Sequence, residues 1–327
     1  RAIAMALVDS DLWENDLVEV EIRGRSTPAM VVPYFLRGEA PPFARSIIHH
    51  REEDTIASKA PATYPQKAAE LLESAIANTK WRQNECINLI PSEMTMSPMT
   101  RALSIMDPVG RYAEHKAVKA LEDAEVFYYQ GTEFIWEVEE LLRKELQDYL
   151  GCSSVEARLV SGQMANATVF SAMVDYRNRA DRKSEQGRMR MVMNNHIIKG
   201  GHLSSQPMGA LKDYVARDLR TEKAAAVNFP VYPDDPYRIN TAATKELLAE
   251  HEPELIILGK SMVLYPEPVA ELRKFIDDLG LDSFLMYDMA HVLGLIGPHF
   301  QDPFAEGADI VTGSTHKTFF GTQRGII

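Results

Sequence analysis

From about residue 65 the chain alternates between two textures. Ala68, Leu71, Leu72, Ala75 and Ile76 fall at helical spacing, as do Ile135, Val138, Leu142, Leu146 and Tyr149, with Gly151 placed to cap the second helix. Short apolar runs follow at Met191-Val192-Met193, Leu255-Ile256-Ile257-Leu258, Phe284-Leu285-Met286-Tyr287 and Ile310-Val311. Helical stretches around 241–250 and 266–279 separate most of them. Continuous apolar strands alternating with helices predict a mainly parallel sheet covered on both faces, an α/β fold.

Residues 1–37 follow a different rule. Leu17-Val18-Glu19-Val20-Glu21-Ile22-Arg23-Gly24-Arg25 alternates apolar with charged residues and turns at Gly24, and Pro28 to Val32 forms a second short strand. Ile3 to Val8 reads as a further strand, stopped by Asp9. This is a small β unit with one wet face and too few strands to bury a core alone. Gly38, Pro41 and Pro42 then mark a linker over 38–65, ahead of a domain over 66–327. The chain opens on Arg1 and closes on Gly325-Ile326-Ile327 in an apolar run, which predicts a piece of a longer protein.

Composition narrows the function classes. The 327 residues are 45% hydrophobic and 25% charged, as in an ordinary globular protein. The net charge of -12 argues against a nucleic-acid partner, which would need basic patches to neutralise phosphates. No run approaches the roughly 18 apolar residues of a membrane span. Cys86 and Cys152 have neither disulfide nor metal-site spacing and are expected to be packing residues, so a reducing, cytoplasmic setting is expected and no metal.

Candidate chemistry gathers at two strand ends. Tyr287-Asp288-Met289-Ala290-His291 carries an apolar strand directly into an acid, and in open α/β sheets ligands bind beyond the carboxyl ends of strands. Alone, Asp288 could equally be a helix cap. Asp309-Ile310-Val311-Thr312 leads in the same way into Gly313-Ser314-Thr315-His316-Lys317. A lysine past a strand end, with its pKa lowered by partial burial, suits imine formation. A buried acid can pair with a protonated pyridine nitrogen, the arrangement that makes pyridoxal phosphate an electron sink.

These segments resemble the serine hydroxymethyltransferase (glycine hydroxymethyltransferase) family, and others agree in order. They are Ile90-Pro91-Ser92-Glu93, Arg111-Tyr112-Ala113-Glu114, Tyr128-Tyr129-Gln130-Gly131-Thr132-Glu133, Ser161-Gly162-Gln163-Met164-Ala165-Asn166 and Gly200-Gly201-His202-Leu203. The resemblance covers about 66–327. It implies the aminotransferase-like large domain of pyridoxal-phosphate enzymes (fold type I), with Lys317 carrying the cofactor. It further implies that Ser161, Gly162, Gln163 and His316 bind phosphate, that Ser314 also binds the cofactor, that His202 stacks on the ring, and that Asp288 meets the ring nitrogen. His291 and Ser261 would lie near the 3-hydroxyl. Ser92, Tyr112, Glu114, Tyr129 and Asn166 would meet the amino acid, with Glu114 managing a proton on the substrate hydroxyl and Tyr112 beside it. Glu114, Tyr128 and Leu203 would border tetrahydrofolate, and Tyr112 and Tyr129 would act partly across a dimer interface.

The sequence also departs from the family. His115 to Phe127 replaces a shorter glycine-rich segment, Gln163 stands for a serine, Lys260 for a small or apolar residue, and Phe319 to Gly325 carries one extra residue and no proline. The family's C-terminal domain, with its carboxylate-binding arginine, lies outside the sequence. Ala6-Leu7-Val8-Asp9 and Val18 to Arg25 resemble instead the C-terminal barrel of the glycine cleavage T protein (aminomethyltransferase). The expectation is an enzyme interconverting serine and glycine with tetrahydrofolate as one-carbon acceptor. The 115–127 segment keeps open a folate-independent aldolase or transaldolase acting on β-hydroxy amino acids, and a non-catalytic module descended from the fold is the third reading.

Overall fold

A computed structural model describes residues 17–22, 25–30, 63–181, 183 and 185–327. The chain divides into two compact units, Arg1–Cys86 and Ile87–Ile327.

In the first unit, β1 (Leu17–Ile22) pairs antiparallel with β2 (Arg25–Met30), so the alternating pattern forms the expected hairpin. The second strand starts at Arg25 rather than Pro28, because register pairs Ile22 with Arg25. The strand expected at Ile3 to Val8 lies outside the described residues. Helix α1 (Tyr64–Lys80) begins inside the segment read as linker. The Gln66 side chain accepts from Thr63 N at 2.8 Å, which satisfies the backbone at its start. Its stripe of apolar residues forms at the expected spacing but remains exposed at Leu71, Leu72 and Ile76.

The second unit holds the sheet. Its order is β10-β9-β8-β7-β5-β6, parallel throughout except that β10 (Gly325–Ile326) runs antiparallel to β9 (Ile310–Ser314). The other strands are β5 (Val192–Asn194), β6 (Ala226–Asn228), β7 (Leu255–Leu258) and β8 (Phe284–Asp288). Side chains alternate across the sheet. Leu255, Ile257 and Met286 face α4 (Gly162–Arg177) through Val169, Phe170 and Met173. Ile256, Leu258, Leu285 and Tyr287 face the other core, with Leu248 of α5 (Thr241–His251), Leu272 and Ile276 of α6 (Val269–Leu279), and Leu146 and Leu150 of α3 (Glu133–Leu150). Each of these aliphatic or phenylalanine side chains taken from water is worth about 1.5–3 kcal/mol. Gly151 closes α3 at φ 68°, a left-handed conformation that favours glycine.

Two elements differ from the pattern-based expectation for physical reasons. The helix expected from 266 starts at Val269, because Pro266 and Pro268 disfavour helical conformation in the residues before them. The strand at 226–228 was not visible as an apolar run because it sits at the sheet's edge, half-buried. Within 115–127 the chain forms an antiparallel hairpin, β3 (His115–Val118) with β4 (Ala124–Phe127), turned by Glu122 and Asp123 at positive φ. A short helix, α2 (Pro98–Leu103), precedes it, capped by Ser97. No described helix is long and apolar enough to cross a membrane.

Candidate active site

Sequence order reverses at β5, which neighbours both edge strand β6 and β7. Ligands in such sheets bind at the carboxyl ends of strands beside this switch point. The chain there delivers His202 after β5, Gly259 and Ser261 after β7, Asp288 at the end of β8, and Ser314 to Lys317 from β9 onward.

Asp288 is the centre. It is 2% exposed, and its Oδ2 lies 2.5 Å from His202 Nδ1 and accepts from Asn166 Nδ2 at 2.8 Å. Its Oδ1 accepts from Ala290 N at 3.1 Å. Burial pushes the carboxyl up, but the His202 imidazole, Asn166 and Ala290 outweigh that and hold it below its ordinary value. The site therefore keeps a carboxylate ionised where no bulk water reaches it.

Lys317 is half-buried, and its Nζ lies 3.1 Å from His291 Nε2. Burial lowers its pKa, opposed by the Asp288 charge. Burial, the Lys317 ammonium and His202 together bring His291 down to about 4, so at neutral pH its ring is uncharged and can accept from Lys317. The His202 and His291 rings meet edge to face, 5.3 Å apart. His316 Nδ1 is buried without a hydrogen-bond partner, and burial lowers its pKa, with Lys317 adding to the effect.

The start of α4 lies against β9. Ser161 caps the helix, its Oγ accepting from Met164 N at 3.2 Å. Gly162 is required by close approach: a Cβ there would fall 2.2 Å from Ser314 Oγ. The first N–H groups of a helix have no intrahelical partner and favour an anion. Gln163 is exposed next to them.

Asn166, expected at the amino acid, is fully buried and spends its amide elsewhere: Nδ2 donates to Asp288 and to Ser204 Oγ at 2.8 Å, and Oδ1 accepts from Thr312 Oγ1 at 2.6 Å. Thr312 and Ser204 had no motif to announce them. Their only sequence signals are Thr312's place on the β9 strand and Ser204's place beside His202. Ser261 is half-buried, its N–H donating to Gly200 O at 2.8 Å, and Leu203 is 53% exposed beside His202.

The remaining candidates form a separate group. Tyr112 and Tyr129 stack at 5.5 Å, and the hydrogen bond from Tyr129 to Glu114 holds that phenol above its ordinary value. Glu114 is exposed, as are Tyr112, Tyr128 and Tyr129, because the segment carrying them lies on the surface at the open end of the β3–β4 hairpin. Tyr128 N donates to Glu114 O at 3.1 Å, extending that hairpin by one pair. Ser92 is half-buried. Among the described residues no hydrogen bond, ion pair or ring contact joins Ser92, Tyr112, Glu114, Tyr128 or Tyr129 to the Asp288–Lys317 cluster.

The chain matches the family profile Serine hydroxymethyltransferase over residues 66–327. It is 37% identical over 264 residues to the serine hydroxymethyltransferase of Pyrobaculum calidifontis, covering 80% of this chain and 54% of that protein. The Staphylothermus marinus protein of that name is 36% identical over 265 residues, 81% of this chain and 53% of its own length. The Sulfolobus acidocaldarius one is 35% identical over 264 residues, 80% and 54% respectively. The chain thus spans about half the length of the curated relatives it matches, and with a strand-end carboxylate, a half-buried lysine and a profile match over most of its length, it belongs to the serine hydroxymethyltransferase family.

Proposed function

We propose that the protein containing this chain is a pyridoxal-phosphate-dependent serine/glycine hydroxymethyltransferase with tetrahydrofolate as one-carbon acceptor. The observation that carries this reading is the convergence of Asp288, His202 and Lys317 at adjacent strand ends, with Asp288 ionised although buried. The residues fit the cofactor: His316 Nδ1 is a buried polar atom without a hydrogen-bond partner, and α4 starts against Ser314, two residues earlier in the chain, where a helix N-terminus favours an anion.

Lys317 Nζ would hold the cofactor covalently, Asp288 would keep the proton on the ring nitrogen, and His202 would cover the ring. His291 and Ser261 would bind the 3-hydroxyl, while Ser161, Gly162, Gln163, Ser314 and His316 would bind the phosphate. When bound, the cofactor supplies an electron sink for charge developing on the amino acid's α-carbon. Asn166 holds Asp288 in place, and Thr312 in turn donates to Asn166. Glu114 would hold or release the proton of the serine hydroxyl, with Tyr112 and Tyr129 beside it and Ser92 nearby. Tyr128 and Leu203 would border the folate. Tyr112, Glu114 and Tyr129 lie exposed on their own subunit, which supports a homodimer in which they complete the partner's site.

The test uses the full-length protein. Addition of pyridoxal phosphate is expected to give a visible absorption band that Lys317→Ala abolishes. Absence of the band in the wild type overturns the cofactor reading and favours a non-catalytic module. Serine cleavage is expected to depend on tetrahydrofolate; equal rates with and without it would transfer the protein to the folate-independent aldolases. Residues 1–37 we read as part of an aminomethyltransferase barrel, supported by the antiparallel β1–β2 pair, so that the gene would join two modules of glycine one-carbon chemistry. An upstream coding sequence without an aminomethyltransferase domain removes that reading. The two free cysteines support a cytoplasmic location.

A further inference from the structure

A second group of buried ionisable side chains lies next to the strand-end site and takes no part in the chemistry above. Lys260 follows β7 by two residues, and its Nζ lies 2.6 Å from Glu267 Oε1 while donating to Tyr237 O at 2.8 Å. The two side chains are 3% and 2% exposed. Glu267 is fixed through its backbone as well: its N–H donates to Gln301 Oε1 at 2.9 Å, and Gln301 Nε2 donates to its C=O at 2.6 Å.

Such a pair is not explained by stability. Removing two charges from water is costly, and the attraction between them repays it only when every remaining polar atom is satisfied. Here satisfaction is incomplete, because Glu267 Oε2 makes no hydrogen bond of ordinary geometry and the Tyr287 hydroxyl is buried without a partner. Burial pushes the Glu267 carboxyl up, and the Lys260 ammonium and the nearby Asn195 amide act against that rise. An apolar pair would fill the same space at lower cost.

What the pair does hold is a stretch of backbone. Lys260 is the middle residue of Gly259-Lys260-Ser261, and every residue of that stretch is tied to the segment carrying His202. Gly259 O accepts from His202 N at 3.0 Å, Gly259 N donates to Asn195 Oδ1 at 2.9 Å, and Ser261 N donates to Gly200 O at 2.8 Å. Lys260 itself bridges Gly201. The same stretch lies against the acid: a Cβ on Gly259 would come within 2.8 Å of Asp288 Cβ. Movement of 259–261 would therefore shift His202 and Asp288 together.

We propose that the buried Lys260–Glu267 pair is a positioning device for the cofactor site, clamping the 259–261 backbone that sets His202 against Asp288. This rests on the reading that His202 and Asp288 hold the pyridine ring. The pair touches neither substrate nor cofactor and acts through the main chain.

The experiment compares full-length wild type with Glu267→Gln, Lys260→Met and the double variant Lys260→Met/Glu267→Leu. Three quantities are read: Kd for pyridoxal phosphate from titration of the visible band, the circular dichroism induced in that band, and the Tm of the cofactor-free protein. Glu267→Gln is expected to raise Kd about tenfold and weaken the induced signal, the order of loss seen when supporting partners of a ligand-binding group are removed. The double variant is expected to recover Tm, because it leaves no buried charge, while Kd stays raised. A double variant that restores Tm, Kd and induced signal together makes the pair merely structural and overturns the proposal. Wild-type Kd and signal in Glu267→Gln overturn it whether or not the other variants fold. No visible band in the wild type would remove the cofactor reading itself, a result distinguishable from a normal band with unaffected variants.

Discussion

Asp288 is 2% exposed and held by His202, Asn166 and Ala290, whereas Glu114 is exposed on the surface with Tyr129 as its partner. Both are carboxylates expected to manage protons, yet only one is preorganised by fixed neighbours. Around Asp288 the desolvation cost is offset by hydrogen bonds from three elements, so the carboxylate stays charged in a dry site. Around Glu114 water can reorganise freely, and a fixed field is lacking. The contrast teaches that burial among fixed hydrogen-bond donors, and not the carboxyl group itself, is what preorganises a charge.

The sharpest break of this comparison is Asp288→Asn. In the full-length enzyme, loss of a preorganised charge of this kind is expected to lower kcat by about 10²–10³-fold. A steady-state assay with wild-type turnover would show that the buried charge is idle. The corresponding change in Glu114→Gln is expected to lower kcat while leaving the Tm of the cofactor-free protein alone; a clear fall in Tm would mean that Glu114 is structural.

Next in size is Asn166→Leu. It strips Thr312 and Asp288 of a partner in a buried place, for an expected loss of about 1–3 kcal/mol in urea unfolding. Gly162→Ala sets a Cβ against Ser314 Oγ, and overpacking of this sort costs about 1–3 kcal/mol. Because that clash sits at the proposed phosphate site, weaker binding of pyridoxal phosphate should accompany it, and an unchanged Kd would detach α4 from the cofactor.

A pH series probes the buried region through His291. The folded state holds His291 near 4, below its ordinary 6.5, so the unfolded chain takes up the proton first as pH falls. Its contribution to stability is fully present above about 6.5 and is lost progressively toward about 4. The Tm of the cofactor-free protein should decline over this window, and His291→Asn should flatten the decline. Equal slopes in both proteins would mean that His291 is solvated. The smallest effect is expected from Tyr129→Phe, where an exposed hydroxyl is removed and stability should stay within about 0.5 kcal/mol. A larger loss, measured by urea unfolding, would show that the Tyr112–Tyr129–Glu114 group is already ordered as a site.

The amino-acid sequence determined the central strands and most of the helices, because burial on both faces of a parallel sheet forces continuous apolar runs such as Leu255–Leu258 and Phe284–Tyr287. It also marked Asp288 and Lys317, since the sheet must deliver whatever follows a strand to its carboxyl edge. Edge strand β6 and the 115–127 hairpin were not legible, because neither is covered on both faces and neither shows a strong apolar run. Only tertiary structure decided how these residues are used. Asn166 supports Asp288, because residues 122 positions apart in the chain meet across a helix and a strand. Lys260 and Glu267 became a buried pair, and Tyr112, Glu114 and Tyr129 were left on the surface. Burial and hydrogen-bond satisfaction are properties of packed neighbours, and local sequence does not record which neighbours those will be.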